Sequence, residues 1–383
     1  MLCNKKVVLL LVFLLVAFPA YILASEYVGI FTMINPSAAN VAMGRNSGTA
    51  NIWNKNPLNV WSNPAKLGYF EKFSWAWTHQ EWFFDSMYFD SSYLTYGRKG
   101  VGVMVPFINN FSKFGTSFDY GEIYVSNDYG QVVDTLHQYD VNSKFALGIN
   151  CFDVIYNYIA PTKNRPLLFK SIKLSLGYSL NYIESHCPNV AISNPESLTY
   201  PDKKFTHDIG TIIHIDPVKM PFEGFDAELS LAWNFINVNR GKLKWSEEDE
   251  WYLPYGYRNA VAAKLYFIKL NKDKTPEIFN NYSDYLISLY ATHDNVHYGD
   301  DPTIWSDGLE VSLLNFFFMR WGEYHDHKGH VVGDSRGFGF NLYFDPVKIQ
   351  FNFAQYPGGE LVAEIEKYDI AINLDIMEFA QNF

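Results

Sequence analysis

Residues 172–182, IKLSLGYSLNY, alternate apolar side chains with polar or small ones, and this alternation decides the fold. Leu174 and the other apolar residues fall on one side of an extended chain, whereas Ser175 and its equivalents fall on the other. The same pattern recurs in 227–235 and 347–353. These three stretches are therefore predicted to be β-strands with one apolar face.

Further stretches share this alternation and are separated by turn-rich segments, which predicts an antiparallel up-and-down arrangement of about 14 strands. They lie at 71–79, 86–97, 99–107, 115–126, 130–139, 143–151, 205–215, 257–270, 284–293, 308–320, 335–344 and 365–377. Gly97–Gly100 and Asp345–Pro346 are predicted to be tight hairpin turns. Because no strand alternates with a long helix-period segment, the chain is predicted to be all-β.

Composition narrows the class of protein. The 383 residues are 18% aromatic and 19% charged, and the mean hydropathy is −0.12. Apolar residues are thus diluted by polar ones, which excludes intrinsic disorder, a coiled coil and a polytopic helical membrane protein. The net charge of −11 repels phosphate backbones, so no nucleic-acid partner is predicted.

The first 25 residues have the layout of a secretory signal peptide that is removed on export. Lys5 and Lys6 give a positive start, 7–17 is an apolar run, and the small residues Ala24 and Ser25 follow. Such a short run does not span a hydrocarbon core of ~30 Å as a helix. Export is therefore predicted, with an N-terminal membrane anchor as the alternative.

Two architectures suit strands with one apolar face. A soluble β-sandwich turns that face inward, whereas a transmembrane β-barrel turns it outward into lipid. Export favours the barrel, as do runs of about 9–13 residues, since soluble strands average ~5–6. Aromatic residues such as Trp75 and Trp233 near strand ends suit the two membrane–water boundaries. The final Phe383, after an amphipathic stretch, resembles a recognition signal for outer-membrane assembly.

The segment before the first strand differs from the rest of the chain. Residues 26–70 are predicted to plug the barrel, and 71–383 to form its wall. Within 35–68 the sequence is rich in Ala, Asn, Gly and Ser without alternation, and Ser37 is placed to cap a short helix. A barrel of about 14 strands leaves a wide lumen unless a segment fills it.

Groups that could bind a metal are confined to predicted loops. They are His325, His327 and His330, then His293 and His297, and the acidic run 246–250. Each is interpreted as part of a solvated loop, with a cation site as the alternative. Neither a metal nor a cofactor is therefore predicted.

The serines and histidines do not indicate a catalytic site, and the cysteines do not form a disulfide framework. Serines and histidines are scattered over many strands without a nucleophile motif, so no enzymatic activity is predicted. After removal of the signal peptide, Cys151 and Cys187 remain. Two buried thiols are predicted, with a disulfide as the alternative, because export permits one.

Several motifs resemble those of the PorV/PorQ branch of the FadL-like outer-membrane proteins. Ser37–Gly44, SAANVAMG, is similar to that branch's opening motif, and Asn63–Gly68, NPAKLG, is similar to its NPAGL motif. Near the other end, Gly308–Val311, Arg320–Gly322 and Gly337–Phe340 are similar to its late strands. Arg45 and Asn46 depart from the Gly–Ala usual in the family, and Lys66 replaces a glycine.

The resemblance implies a non-enzymatic outer-membrane barrel that acts in secretion and attachment of proteins at the cell surface, in the type IX system. Its implied partners are outer-membrane lipid and secretion-system proteins. Asn63, Pro64 and Ala65 are expected to anchor the plug, and Gly44 to bring its backbone close to the wall. Pro106, which cannot donate a ladder hydrogen bond, would open a lateral gap or simply end its strand.

Three alternative functions remain open. One is a FadL-like channel for passive uptake of hydrophobic small molecules. Another is a structural or adhesive surface protein with a closed lumen. The last is a secreted soluble β-sandwich that binds carbohydrate through its aromatic residues.

Overall fold

The computed structural model describes residues 29–81, 87–126, 129, 131–159, 171–186, 202–219, 225–244, 250–270, 283–326, 331–358 and 364–375. The predicted signal peptide, Cys187 and Phe383 lie outside these residues, so those predictions stay predictions. None of the helices in the described part of the chain is long and apolar enough to cross a membrane.

Short helices come before the first strand, and strands make up most of the chain after it. The 3-10 helix Ile30–Met33 is followed by α1 (Ala38–Val41) and by the 3-10 helices Pro57–Ser62 and Pro64–Tyr69. The strands are β1 (Phe73–Glu81), β2 (Tyr88–Arg98), β3 (Val101–Pro106), β4 (Thr116–Ser126), β5 (Val132–Asn150), β6 (Ile172–His186), β7 (Asp202–Lys219), β8 (Phe225–Ile236), β9 (Lys242–Lys244), β10 (Glu250–Tyr252), β11 (Gly256–Lys269), β12 (Tyr285–Tyr298), β13 (Ile304–Leu313), β14 (Phe317–Asp326), β15 (Val331–Phe344), β16 (Val347–Tyr356) and β17 (Ile365–Leu374). Helix α2 (Cys151–Val154) and a π-helical turn, Ile155–Ile159, come directly after β5.

The strands close into a single antiparallel barrel. Strand β1 pairs with β2 on one side and with β17 on the other, where Trp75 lies opposite Ile372. Strands β3 and β4 share one position between β2 and β5, while β9 and β10 form a separate hairpin. The barrel therefore has 14 strand positions. The all-β, closed-barrel prediction is confirmed.

The polar face of each strand points inward. In β6, Ser175 and Ser179 are buried, whereas Leu176 and Tyr178 are 41% and 44% exposed. Strand β1 obeys the same rule, with Ser74 buried on the inner side. One closed ring with apolar side chains outside is not a two-layer sandwich, so the β-sandwich alternative is wrong.

The two ends of the barrel differ in their connections. One end, here called the turn end, holds the tight turns Lys99–Gly100, Leu314–Phe316 and Asp345–Pro346. The first and last of these are the predicted hairpins, and both are confirmed by the pairings Arg98–Val101 and Phe344–Val347. The opposite end, here called the loop end, carries the β9–β10 hairpin.

Three strand predictions are wrong. The predicted strands 130–139 and 143–151 are one strand, β5, because its polar residues face the interior and do not mark a turn. The predicted strand 308–320 is two strands, β13 and β14. Leu314 and Asn315 turn the chain there with φ values of 55° and 53°. The β9–β10 hairpin is not among the predicted strands, because its strands have only three residues each.

Candidate functional site

Residues 29–72, here called the inner segment, contact the inner face of the barrel at opposite walls. Helix α1 packs on β15, β16 and β17, whereas the 3-10 helix Pro64–Tyr69 packs on β3, β5, β6 and β7. The inner segment starts near the loop end, where Met33 packs against an apolar cluster that includes Val296 and Tyr324. It leaves at the turn end to enter β1. The inner segment thus runs through the length of the barrel.

A row of glycines forms the seat of the 3-10 helix. Five glycines on five neighbouring strands lie directly opposite one another: Gly97, Gly102, Gly148, Gly177 and Gly210. A Cβ atom on any of them would lie within 2.7 Å of a heavy atom of Asn63–Phe70. This set is called the glycine row below. It removes side chains from the wall so that the backbone of the inner segment can lie directly on it.

The three predicted anchoring residues lie on this row. The Asn63 side chain accepts from the Ala65 N–H at 2.9 Å, which caps the helix, and donates to the Trp233 carbonyl at 3.1 Å. Pro64 occupies the first turn, where its missing N–H costs nothing. The structure therefore brings Asn63, Pro64 and Ala65 together against the wall.

Gly44 lies at a second close contact, on the opposite wall. Its φ is +101°, and a Cβ atom there would lie 2.6 Å from the carbonyl oxygen of Glu323. Its N–H donates to the Ser335 hydroxyl at 2.8 Å. Gly308 and Gly322 leave room for the adjacent Met43. Only glycine fits both the backbone conformation and the space at position 44.

Two aspartates of the wall hold the inner segment through its backbone. Asp294 accepts from the N–H of Thr49 at 2.8 Å and from that of Gly48 at 3.2 Å. Asp369 accepts from the N–H of Ala38 at 2.7 Å and also binds side-chain amides. Carboxylate-to-amide hydrogen bonds of this kind are stronger than neutral ones. The inner segment is therefore fixed by polar contacts on two sides.

Lys66, the departure from the family motif, is buried and fully partnered. Its ammonium group donates to the Asn59 carbonyl at 2.9 Å, to the Ser62 hydroxyl at 2.6 Å, and to the Gly48 carbonyl. These contacts link three parts of the inner segment. Lys66 therefore stabilises the inner segment through hydrogen bonds that a glycine, which has no side chain, could not make.

Strand β3 ends at Pro106, and the chain leaves the barrel wall before β4 resumes in the same position. Residues 107–115 form this excursion, and Phe107 and Phe114 are 40% and 54% exposed. On the β5 side the ladder stops at Ala146, opposite Met104, and restarts at Asn142. Residues 143–145 therefore have no strand partner on that side. We call this site the strand break.

Side chains bridge the strand break. Tyr93 of β2 donates its hydroxyl to the Asn142 carbonyl at 3.1 Å, and Ser143 donates to the Phe114 carbonyl at 2.7 Å. Behind the break lies an apolar cluster that includes Met104, Leu67 and Tyr93. The wall is thus interrupted in its backbone pairing but filled by side chains.

Two described cavities lie between the inner segment and the wall. The larger, of about 390 Å³, is at the turn end, and the smaller, of about 40 Å³, lies toward the loop end beside Trp61 and Arg258. They share no lining residue. Lys55 of the inner segment lines the larger one, where burial lowers the pKa of its amine to about 7.

The loop prediction is wrong for His293 and His297, which lie in β12, and for His325, which lies at the end of β14. His325 pairs with Glu323 at 2.6 Å, and His293 pairs with Asp307 at 2.7 Å. Residues 327–330 and 245–249 lie outside the described part of the chain. Within the described residues, no group of three or more metal-binding side chains converges. Cys151 is a free thiol there.

Sequence reasoning misses the glycine row and the cavity. The five glycines are far apart in sequence, and only the strand register aligns them. Asn63–Gly68 is identified through its motif, but nothing in the sequence indicates which wall it contacts. The lysines of the cavity come from different strands and from the inner segment.

Comparisons with known proteins give no family. No family model matches the chain, and no curated protein matches its sequence.

The chain has a distant likeness to several solved structures. The Ralstonia pickettii toluene transporter TbuX is 11% identical, with 90% of this chain and 99% of that chain covered, at a TM-score of 0.45. A Pseudomonas aeruginosa FadL homologue is 8% identical, covering 89% and 99%, at a TM-score of 0.39. Outer membrane phospholipase A from Escherichia coli is 9% identical, covering 62% and 84%, at 0.30. Likenesses this distant carry no argument about activity.

Proposed function

We propose that the protein is an outer-membrane barrel whose wall spans the lipid and whose lumen is closed by the inner segment acting as a plug. The support for lipid contact is the outer face, where large apolar side chains are exposed on strand after strand. Examples are Val103, Leu147, Leu176, Leu229, Val261, Leu309, Met319, Phe338 and Leu342, each between 36% and 46% exposed. Apart from the strand break, where residues 143–145 lack a strand partner on one side, the closed ring leaves no unpaired edge in lipid.

The turn end is assigned to the periplasm. Outer-membrane barrels have short periplasmic turns. The two-residue turns Lys99–Gly100 and Asp345–Pro346 are both at this end, which also carries the longer connections after β5 and β11. The β9–β10 hairpin then faces the outside, next to the start of the inner segment.

The role that we propose is non-enzymatic, in secretion and attachment of proteins at the cell surface, as in the PorV/PorQ branch. The observation that carries it is the seating of the inner segment on the glycine row and on Gly44. The two stretches that resemble that branch, Ser37–Gly44 and Asn63–Gly68, both contact the wall. A lumen filled in this way suits a rigid scaffold better than an open pore.

Co-purification tests this role. After cross-linking in cells and isolation in mild detergent, the protein is expected to carry secretion-system proteins, and in planar bilayers it is expected to show no steady conductance. A matched sample cross-linked after the cells are disrupted controls for chance capture. Large ion conductance without co-purifying secretion proteins would contradict the scaffold role.

The strand break favours a second candidate function, passive uptake of hydrophobic small molecules. Here Pro106 would mark a lateral gap through which an apolar molecule moves between the lipid and the apolar cluster behind the break. Proteoliposomes loaded with a fluorescent apolar dye test it. Deletion of 108–114 would seal the wall and abolish accelerated dye transfer, whereas unchanged transfer would exclude this route.

A further inference from the structure

The larger cavity has walls of unusual charge. It opens at the turn end between exposed residues such as Lys72 and Asp345, and its inner part is lined by buried ones such as Arg320 and Lys264. Five of its lining side chains are basic and three are acidic: Lys55, Lys72, Lys264, Arg320 and Lys348 against Glu71, Glu310 and Asp345. Basic side chains thus outnumber acidic ones in the cavity.

Two of these cations are already neutralised. Arg320 binds Glu310 at 2.7 Å and also donates to Asn352, and Lys72 binds Asp375 at 3.3 Å at the mouth. Neither of these carboxylates can therefore serve the remaining lysines as a dedicated partner.

The other three lysines have no such partner. Among the described residues, no carboxylate lies within 4.0 Å of the amine of Lys55, Lys264 or Lys348, and none of the three donates a hydrogen bond. Each approaches an aromatic ring, at 5.4, 5.5 and 5.3 Å respectively. Lys264 is also within electrostatic reach of both of the others. At longer range Lys55 interacts with Glu71 and Glu228, and Lys264 with Glu228 and Glu310, so the repulsion among the three lysines is only partly offset.

Elsewhere in the barrel, buried lysines are satisfied by the protein itself. Lys144 binds Asp208 at 2.8 Å, Lys66 binds several oxygens of the inner segment, and Lys367 donates to the Asn35 carbonyl. Partnered lysines are therefore the rule in this interior. In the cavity, Lys264 is buried and Lys55 and Lys348 are half-buried, and all three line one space without such a partner.

We propose that this cavity binds a small polyvalent oxyanion, a phosphate or polycarboxylate group taken from the aqueous phase at the turn end. A lysine ammonium is a compact charge with three donors, well suited to phosphate and carboxylate oxygens. The volume of about 390 Å³ falls within the range of small-molecule sites. The lining aromatic side chains of Trp53, Tyr290 and Tyr343 would contact the organic part of a larger ligand. The site does not depend on the proposed role in secretion.

Calorimetric titration of the full chain in detergent tests the proposal. Inorganic pyrophosphate and citrate are the probes, and chloride at the same ionic strength is the monovalent control. Binding of at least one probe at one site is expected. Lys264→Gln and Lys348→Gln are each expected to weaken it about tenfold, or about 1.4 kcal/mol, because each removes a charged hydrogen-bond donor.

Lys269→Gln is the matched control. It removes a lysine from the same strand, β11, but at an exposed position outside the cavity lining. Affinity equal to that of the unaltered chain is expected. No binding of either probe, or equal weakening by Lys269→Gln and Lys264→Gln, would overturn the proposal.

A second measurement needs no variant. An amine with a pKa of about 7 is largely neutral near pH 7.5, so Lys55 is expected to react readily with an acylating reagent. Mass spectrometry should show that pyrophosphate or citrate, but not chloride, slows acylation of Lys55 while leaving Lys269 unaffected. Equal acylation of Lys55 with and without the probes would count against the site.

Discussion

The substitution Gly177→Ala places one methyl group where the inner segment lies directly on β6. The added Cβ would lie 2.1 Å from the backbone nitrogen of Ala65 and 2.3 Å from the carbonyl carbon of Pro64. Ordinary carbon contacts are about 3.5–4.0 Å, so the segment must retreat by more than about 1 Å. Both atoms are backbone atoms, and no side-chain rotation can relieve the clash.

Overpacking of this kind costs about 1–3 kcal/mol. The assay is migration on a detergent gel after samples are heated to a series of temperatures. We expect Gly177→Ala to lower the temperature at which the band of the folded protein is lost. We also expect intermittent conductance in planar bilayers, because the retreating segment opens a path along the wall. Both effects result from the same displacement.

Gly333→Ala is the matched control. Gly333 is on β15, and a Cβ atom there would contact only the Pro357 ring at 3.2 Å, away from the inner segment. Gly333→Ala is expected to fold and to show no conductance in planar bilayers. If Gly177→Ala matched Gly333→Ala in both assays, the close seating of Asn63–Phe70 on the glycine row would be refuted.

Substitutions at Asn63, at the Lys144–Asp208 pair and at Tyr93 test further contacts of the inner segment and the wall. Asn63→Ala is expected to cost about 1–2 kcal/mol in gel-monitored unfolding, whereas Asn63→Ser keeps a helix cap and should cost less; equal costs would contradict the capping role. Lys144→Ala leaves Asp208 without its cation, with an expected cost of about 3–5 kcal/mol in chemical unfolding. Adding Asp208→Asn should recover part of that loss, and no recovery would show that the pair is not coupled. Tyr93→Phe removes the hydroxyl that bridges the strand break, so dye transfer in proteoliposomes should rise about fivefold; a fall would show that the hydroxyl does not keep the break closed.

The closed barrel can be predicted because the information is local. In 172–182 every second side chain is apolar, and the structure exposes those side chains and buries the serines between them. The same reasoning fails at β5, where Asp140 and Asn142 suggest a turn. A polar residue in a barrel strand also fits the interior, so polarity alone does not end a strand.

Turn prediction depends on residue type and fails where the type is unusual. Lys99–Gly100 and Asp345–Pro346 contain turn-forming residues and are predicted correctly. Leu314 and Asn315 adopt positive φ between two apolar strands, and a leucine in that conformation gives no sequence signal.

The candidate sites depend on register, which the sequence does not display. Asn63, Pro64 and Ala65 stand out by resemblance to a motif, but the five glycines beneath them become a row only when their strands pair. The same holds for Lys264 and Lys348, which come together from β11 and β16. Long-range pairing therefore decides the sites, whereas local alternation decides the fold.

The course of the inner segment constrains the order of assembly. Residues 29–72 traverse the ring from one mouth to the other before β1 begins, and the ring is sealed by the pairing of β1 with β17. Once the barrel is closed, the inner segment cannot enter it through the wall. Either the β1–β17 pairing forms last, around an inner segment already in position, or the N-terminal end of the segment passes lengthwise through the closed barrel.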